Sequence, residues 1–200
     1  DDADLDKVAL EMARVAEVSC VEFNRQMRND NSGTVKTIES KALDSTPTAI
    51  FNDPRLAEQW HYINTGDKSI YEGIKAGADI DCGEAWRLCT GDPAVIVAVV
   101  DNCVDWTHPD LAANIWTNTK EIPDNGIDDD GNGFVDDVHG YNFVTDSQLA
   151  ISTQEHPEHG THVAGTVAAV NNNGIGVCGI AGGSGKGDGV RIMSCQAVYN

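Results

Sequence analysis

The sequence predicts an α/β domain built around a mostly parallel sheet. Two short apolar stretches, residues 94–100 and 190–198, have the length and composition of strands buried on both faces of such a sheet. Between them, residues 159–170 give a helical pattern made mainly of small side chains, so this helix can lie close to the sheet. A length of 200 residues suffices for one domain with a buried core and a short appendage.

The composition favours cations as partners and argues against two classes of binding protein. Thirteen Lys and Arg face 32 Asp and Glu, which gives a formal net charge of −19. Such a chain repels phosphate backbones and anionic lipid surfaces, so we predict no nucleic-acid partner. The longest uninterrupted apolar run, residues 94–100, is far too short for a transmembrane helix, so no membrane span is predicted either.

The N-terminal quarter differs from the rest of the chain in its pattern of apolar and polar residues. Residues 1–28 carry apolar side chains at three- and four-residue steps and predict an amphipathic helix. Polar residues 29–48, with Gly33 and Pro47, predict a linker. A second helical stretch is expected over residues 69–76.

Two glycine-rich loops separate the predicted strands and helix, and the first of them is also rich in acidic residues. The first strand ends at Asp101, where open α/β sheets place their ligands. Residues 121–140 are too rich in Gly and Asp to form a helix or strand, and residues 174–189 are a second glycine-rich stretch.

Asp101, at a strand end, and His159, at a helix start, are the central candidate pair. A buried aspartate can hold an imidazole in one tautomer and stabilise its cation, as in the general base of a hydrolytic triad. The alternative is purely structural: Asp101 caps the next turn and His159 simply begins a helix.

Two long segments carry a family resemblance. Residues 97–111, VAVVDNCVDWTHPDL, resemble the catalytic-Asp segment of the subtilisin-like serine proteases, and residues 159–169, HGTHVAGTVAA, resemble their catalytic-His segment almost letter for letter. The Asp-before-His order also agrees with that family. The resemblance implies a subtilisin-like fold with helices on both faces of the sheet, present here as its N-terminal part. It also implies a serine endopeptidase in which Asp101 orients the imidazole and His159 is the general base.

The resemblance predicts a nucleophilic serine downstream of this chain. The family carries its serine in a Gly-Thr-Ser-like helix start, and no Gly-Thr-Ser occurs in these 200 residues. Ser184 and Ser194 lie in segments that match other parts of the family pattern. The remaining C-terminal part of the peptidase domain is therefore an expected partner, and the chain by itself should be inactive. Cys103, where the family usually has Gly, implies a different turn or a steric or redox influence on the site.

The acidic loop predicts a calcium site. Its oxygen-bearing side chains occupy positions 1, 3, 5 and 9 of an EF-hand-like loop, with Gly at position 6. Position 12 is His139 instead of the usual bidentate Glu, and the alternative is a solvated acidic turn. The predicted ligands are Asp128, Asp130, Asn132 and Asp136.

The resemblance implies a second structural calcium site. In the family, the Asp of the His-Pro-Asp-Leu segment is tied to a loop after the catalytic-His helix through an Asn side chain and backbone carbonyls. The loop in this chain has one extra residue, which affects the carbonyl geometry. The matching positions are Asp110, Val170, Asn172, Ile175 and Val177.

The resemblance also suggests how the chain is divided. Residues 1–49 are predicted to be a propeptide remnant or N-terminal extension, and residues 50–200 the N-terminal part of the peptidase domain. Residues 51–60, FNDPRLAEQW, resemble the start of a mature domain. The expected partners are then a polypeptide substrate and the protein's own propeptide as inhibitor. A secreted or cell-envelope location, with the signal peptide removed, is the matching expectation.

Several alternatives remain open. The main rival to the protease is a non-catalytic, calcium-stabilised domain used for binding or scaffolding. A cysteine-dependent hydrolase acting through Cys103 is a third reading. Zinc binding by His156, His159 and His162 is disfavoured, because Pro157 interrupts their register and no H-E-x-x-H occurs. Cys82 and Cys89 could close a small disulfide loop in an exported protein.

Overall fold

The structure is a computed structural model that describes residues 50–150 and 157–198. Four predictions concern residues outside these ranges: the helix over residues 1–28, the linker, the propeptide and His156. In chain order, the elements are a 3-10 turn (Leu56–Glu58), α1 (Cys82–Leu88), β1 (Ile96–Asp101), a second 3-10 turn (Ala112–Asn114), β2 (Gly140–Asn142), β3 (Ser147–Gln148), α2 (Glu158–Ala168) and β4 (Arg191–Gln196).

The four strands form one sheet in the order β1-β4-β2-β3. β4 pairs in parallel with both β1 and β2, and β3 adds a short antiparallel edge. The register places Asp101 opposite Gln196, so β1 and β4 end at the same edge of the sheet. The predicted mostly parallel sheet is therefore present.

Helix α2 packs on one face of this sheet. Its small buried residues Ala164 and Ala168 contact Val99 and Ile192 in a cluster that also contains Leu111. Small side chains allow the helix axis to approach the strands closely, and the apolar contacts hold the helix in one position relative to β1.

The predicted burial of β1 on both faces is wrong for the described residues. Val99 is 4% exposed against α2, whereas Val100 on the opposite face is 66% exposed, and Ile96 is also exposed. Alternation of this kind is the normal result when only one face of a strand is covered.

The predicted helix over residues 69–76 is also wrong. This segment forms successive turns, with Ile74 N–H donating to Tyr71 O, and its apolar side chains Ile70 and Tyr71 are exposed. Without a buried face the apolar spacing does not stabilise a helix. The helix of this region is instead α1, which buries Trp86 and Cys82 against Phe51 and other residues.

No helix within the described parts of the chain is long and apolar enough to cross a bilayer. The five cysteines that the structure describes are free thiols, so Cys82 and Cys89 do not form a disulfide in it.

Candidate active site

The end of β1 and the first turn of α2 bring Asp101 and His159 together. His159 Nδ1 lies 2.8 Å from both Oδ1 and Oδ2 of Asp101. The Asp101 side chain is 16% exposed, whereas the imidazole is 72% exposed. A carboxylate on Nδ1 favours the tautomer that carries its proton there, which leaves Nε2 as the basic nitrogen for a reacting group.

The surroundings of Asp101 favour its ionised form. Burial acts to raise its pKa and is the largest single influence, but it is outweighed. The N–H of Asn102 donates to Oδ1 at 2.8 Å, and His159 adds a hydrogen bond and positive charge. The net result is a pKa for Asp101 below its usual value, so the carboxylate is charged when the imidazole needs compensation.

Two further hydrogen bonds join the loop after β1 to the start of α2. Asn102 Oδ1 accepts from the N–H of Gly160 at 2.9 Å, and Thr161 Oγ1 accepts from the N–H of Asp105 at 2.9 Å. The contact is so close that a Cβ built on Gly160 would lie 2.0 Å from Cys103 O. Only glycine allows this approach, which brings the helix start up to the strand end.

Cys103 keeps the backbone conformation that a glycine would have. Its φ is 106°, in the region that L-residues rarely adopt, and it is fully buried. Its Sγ lies 3.3 Å from Val104 O and 3.4 Å from Ser194 Oγ. A thiol enclosed in this way cannot meet a substrate, so the geometry does not favour a cysteine-dependent hydrolase.

The two serines considered from the sequence are engaged elsewhere. Ser184 Oγ donates to Asp188 Oδ2 at 2.7 Å, and buried Ser194 Oγ accepts from Val104 N–H. In the two described ranges, no serine forms a hydrogen bond with His159. The geometry thus provides two members of a possible triad and no candidate nucleophile among these residues.

In the acidic loop, the structure gathers only part of the predicted calcium ligands. Glu121, Asp128 and Asp130 each offer a carboxylate oxygen within 4.8 Å of the others. Glu121 is only 6% exposed, and its Oε2 is buried without a hydrogen-bond partner. A buried carboxylate oxygen left in this state is costly unless a cation neutralises it, so the cluster fits a calcium ion.

Two of the predicted loop ligands are used differently. Asp136 accepts hydrogen bonds from the backbone of Asn125 and Gly126, and Asn132 bonds to Asp137 through Nδ2. Glu121 was not among the predicted ligands, because it precedes Asp128 by seven residues and falls outside a contiguous EF-hand-like pattern.

Asp110 is buried at the loop that follows α2. Its Oδ1 accepts from Asn173 Nδ2 at 2.7 Å, and its Oδ2 accepts from Val177 N–H at 2.9 Å. Its backbone O accepts from Val170 N–H, and Ile175 N–H donates to Asn173 Oδ1. The predicted loop therefore surrounds Asp110, although the contacts seen are made through N–H groups.

The asparagine at this site is Asn173 and not the predicted Asn172. The backbone N–H of Asn172 instead donates to Asp53 Oδ2 at 2.6 Å, and its side-chain Oδ1 accepts from Asn52 N–H at 3.3 Å. Asp53 was missed in the sequence, since it lies some 57 positions before Asp110. Burial first and then the charge of Asp53 raise the pKa of Asp110, while hydrogen bonds from Val177 and Asn173 act against this. Two buried, mutually repelling carboxylates fit a cation site.

The profile of the Subtilase family matches residues 92–193, just over half of the 200 residues, and this range contains both Asp101 and His159. The chain belongs to the Subtilase family. The family predicted from the two segments is thereby confirmed.

Relatives of this subtilase chain include two subtilisin-like proteases and a neuroendocrine convertase. Subtilisin-like protease 1 of Plasmodium berghei is 37% identical over 178 residues, covering 86% of this chain and 28% of that protein. Subtilisin-like protease 1 of Plasmodium vivax is 44% identical over 103 residues, covering 51% of the chain and 15% of the relative. Neuroendocrine convertase 2 of Bos taurus is 33% identical over 142 residues, covering 71% and 19%. The chain thus spans less than a third of the length of each.

Solved structures agree on the fold. The serine protease of Aeromonas sobria, in complex with its chaperone, aligns with a TM-score of 0.51 and 27% identity over 75% of this chain and 21% of the other. The same protease in a second structure aligns with a TM-score of 0.50 and 27% identity, covering 78% and 21%. The predicted subtilisin-like α/β fold is confirmed.

Proposed function

We propose that the protein is a serine endopeptidase of the subtilisin type that cleaves polypeptides. The observation that carries the proposal is the contact of His159 Nδ1 with both oxygens of Asp101 at 2.8 Å. His159 Nε2 takes the proton of a serine hydroxyl as the serine oxygen attacks the scissile carbonyl. The imidazolium then gives that proton to the leaving amine, and water hydrolyses the acyl-enzyme by the same route.

The nucleophilic serine belongs to a segment downstream of residue 200. Support comes from the absence of Gly-Thr-Ser in the 200 residues and from the other bonds made by Ser184 and Ser194. Residues 1–200 alone should accordingly hydrolyse no peptide bond.

Labelling with a fluorophosphonate, followed by mapping of the modified residue, tests the proposal. We expect the full-length protein, with calcium present, to be labelled at a downstream serine. His159→Ala should abolish labelling and lower kcat by about 10⁴- to 10⁶-fold. His162→Ala is the matched control, because His162 is an exposed histidine on the same helix. Absence of labelling in a folded protein freed of residues 1–49 would favour the rival, a non-catalytic binding or scaffolding domain.

Calcium is proposed as a structural cofactor in the acidic loop. Glu121, Asp128 and Asp130 would hold it, and its charge would offset their repulsion. The buried, unpaired Oε2 of Glu121 supports this proposal over a merely solvated acidic turn.

A second calcium ion is proposed at Asp110. Asp110 and Asp53 are 3% and 5% exposed, and the surrounding loop is shaped by Gly176, where an added Cβ would lie 2.0 Å from Asp110 Oδ2. The bound ion would tie the loop after α2 to the segment around Asp53, and it would take no part in the chemical step.

Calorimetric calcium titration and melting temperatures test both sites. We expect a chelator to lower the Tm of the full-length protein. Glu121→Gln and Asp110→Asn should each remove part of the calcium-dependent increase, by several degrees. Asp129→Asn is the control, because Asp129 lies in the same loop but bonds to Ile122 and Asn125. An unchanged Tm on chelation would overturn both sites.

Residues 1–49 are proposed to be an inhibitory propeptide of a secreted or cell-envelope enzyme. The proposal rests on the family and on the resemblance of residues 51–60 to the start of a mature domain. N-terminal sequencing of the active enzyme should begin between Ser45 and Ile50, and a start before Ser45 would contradict this boundary.

A further inference from the structure

Asn102 contacts both of the elements that carry Asp101 and His159. Its N–H donates to Asp101 Oδ1 at 2.8 Å, and its side-chain Oδ1 accepts from Gly160 N–H at 2.9 Å. Gly160 follows His159 directly in the chain, and Asn102 is only 3% exposed. A single buried residue therefore connects the end of β1 to the helical turn that bears the imidazole.

Helix α2 receives this cap from outside the helix. Its N-cap residue is Pro157, which makes no side-chain capping bond. The first bond within the helix runs from Thr161 N–H to Pro157 O, so the N–H of Gly160 has no partner in its own helix. Asn102 Oδ1 supplies that partner, and it does so in a buried place where water cannot easily replace it.

We propose that Asn102 is a positioning residue for the Asp101–His159 pair, acting as a remote cap that fixes the start of α2 against the end of β1. This inference rests on the proposed function, in which that pair is the general base. Asn102 touches no reacting atom. Its effect is to keep Nδ1 within 2.8 Å of both carboxylate oxygens and so to keep Nε2 directed to the substrate.

The structure also indicates what removal of this cap would do. The Asp105–Thr161 bond and the packing of Ala164 remain, so the helix should stay folded while its first turn loosens. Displacement of a catalytic base by about 1 Å can cost about 100-fold in rate. Substrate binding far from the imidazole should change little.

The test compares Asn102→Ala with Asn102→Asp in the full-length protein. Asn102→Ala should lower kcat by about 10- to 100-fold with KM within about twofold. Asn102→Asp keeps an acceptor of the same shape and should restore most of kcat. Its added negative charge should move the acidic limb of the kcat–pH profile to higher pH, because it favours the imidazolium.

Asn114→Ala is the matched control. Asn114 is also buried, and its Nδ2 donates to Ala168 O at 3.0 Å, at the opposite end of the same helix. This change should lower the Tm but leave kcat unchanged. An equal loss of kcat in Asn114→Ala and Asn102→Ala would reduce Asn102 to a structural role and overturn the inference.

A second readout does not depend on activity. In protein labelled with ¹⁵N-histidine, the His159 signals of the wild type should report a proton fixed on Nδ1, and Asn102→Ala should give a mixture of tautomers. Asn102→Ser, whose shorter side chain does not span to Gly160, serves if the alanine variant does not fold. Unchanged kcat and spectra in these variants would overturn the inference. If the wild type shows neither turnover nor labelling, the proposed function is wrong. The histidine spectra then still test whether Asn102 positions His159.

Discussion

At the scale of single residues, Asp101 shows how a strand end sets the chemistry of a side chain. The carboxylate is largely buried, yet its pKa lies below the usual value because Asn102 N–H and His159 stabilise its charge by more than burial opposes it. The ionised form is therefore more favourable in the folded protein than in the unfolded chain. This difference makes the contribution of Asp101 to stability dependent on pH.

Asp101→Asn should show that dependence. With the folded pKa lowered, the stabilisation is fully present above the unfolded value of about 4 and is lost as pH falls through the folded pKa. The difference in Tm between the wild type and the variant should be present at pH 5 and should shrink as the pH falls below about 4. Thermal melts across that range measure it. A difference that stays constant down to pH 2.5 would contradict the assignment.

Site residues could be predicted from the sequence where they lie within a contiguous motif. Asp101 and His159 lie in two long segments, and the structure brings them into contact. Glu121 and Asp53 could not be found in this way, because chain folding brings them to their clusters from outside the local pattern. Asn172 shows a third case, since the side chain that contacts Asp110 is that of the next residue, Asn173, while the backbone N–H of Asn172 donates to Asp53.

At the scale of elements, helix α2 depends on where its glycines lie. Gly160 contacts the backbone of Cys103, where a Cβ would come within 2.0 Å of a carbonyl oxygen. Gly165 lies in the same helix with no atom within 4 Å of an added Cβ. Packing therefore requires glycine at position 160. At position 165 glycine only lowers the helix propensity.

Substitution of the two glycines should separate these effects. Gly160→Ala should destabilise the protein by about 1–3 kcal/mol, because the helix must move away from the strand end. Gly165→Ala should stabilise it by about 0.5–1 kcal/mol through helix propensity. Denaturant unfolding of the two variants gives both values. Equal effects of the same sign would show that α2 does not approach β1 as described.

The helix prediction over residues 69–76 was wrong because burial, and not the local pattern of side chains, decides where a helix forms in this region. Residues 69–76 have helical spacing of apolar side chains, yet Ile70 and Tyr71 find no core to cover and the segment remains in turns. No helix was predicted over residues 82–88, but Trp86 and Cys82 pack into a buried cluster and a helix forms there.

At the scale of the whole molecule, one face of the sheet is exposed along β1 in the described residues. Ile96, Ala98 and Val100 of β1 lie on the face opposite α2, beside Met193 and Cys195 of β4. A hollow of about 460 Å³ continues this face, and aromatic residues line it, including Trp116, Tyr141 and Phe143. An exposed apolar surface of this kind is typical of one that another polypeptide segment or a partner covers.

A pair of neighbouring substitutions tests this description in a protein of residues 1–200. Val100→Lys should be tolerated and should reduce binding of a hydrophobic dye such as ANS, because Val100 is 66% exposed. Val99→Lys should unfold the domain, because Val99 is 4% exposed against α2 and a buried, unpaired ammonium is costly. Dye fluorescence and far-UV circular dichroism measure the two effects. A Val100→Lys variant that also unfolds would show that this face is covered.

The family, the parallel pairing of the main strands and the Asp101–His159 pair could all be predicted, because each depends on a local pattern or a contiguous motif. Other features of the molecule depend on how the chain packs. The remote cap from Asn102 on α2 and the closeness of Asp53 to Asp110 bring together segments far apart in the chain, and the approach of Glu121 to Asp128 and Asp130 depends on how the acidic loop folds. Packing of the folded chain decides which polar groups come into contact across a loop. The periodicity of the sequence carries no information about such contacts.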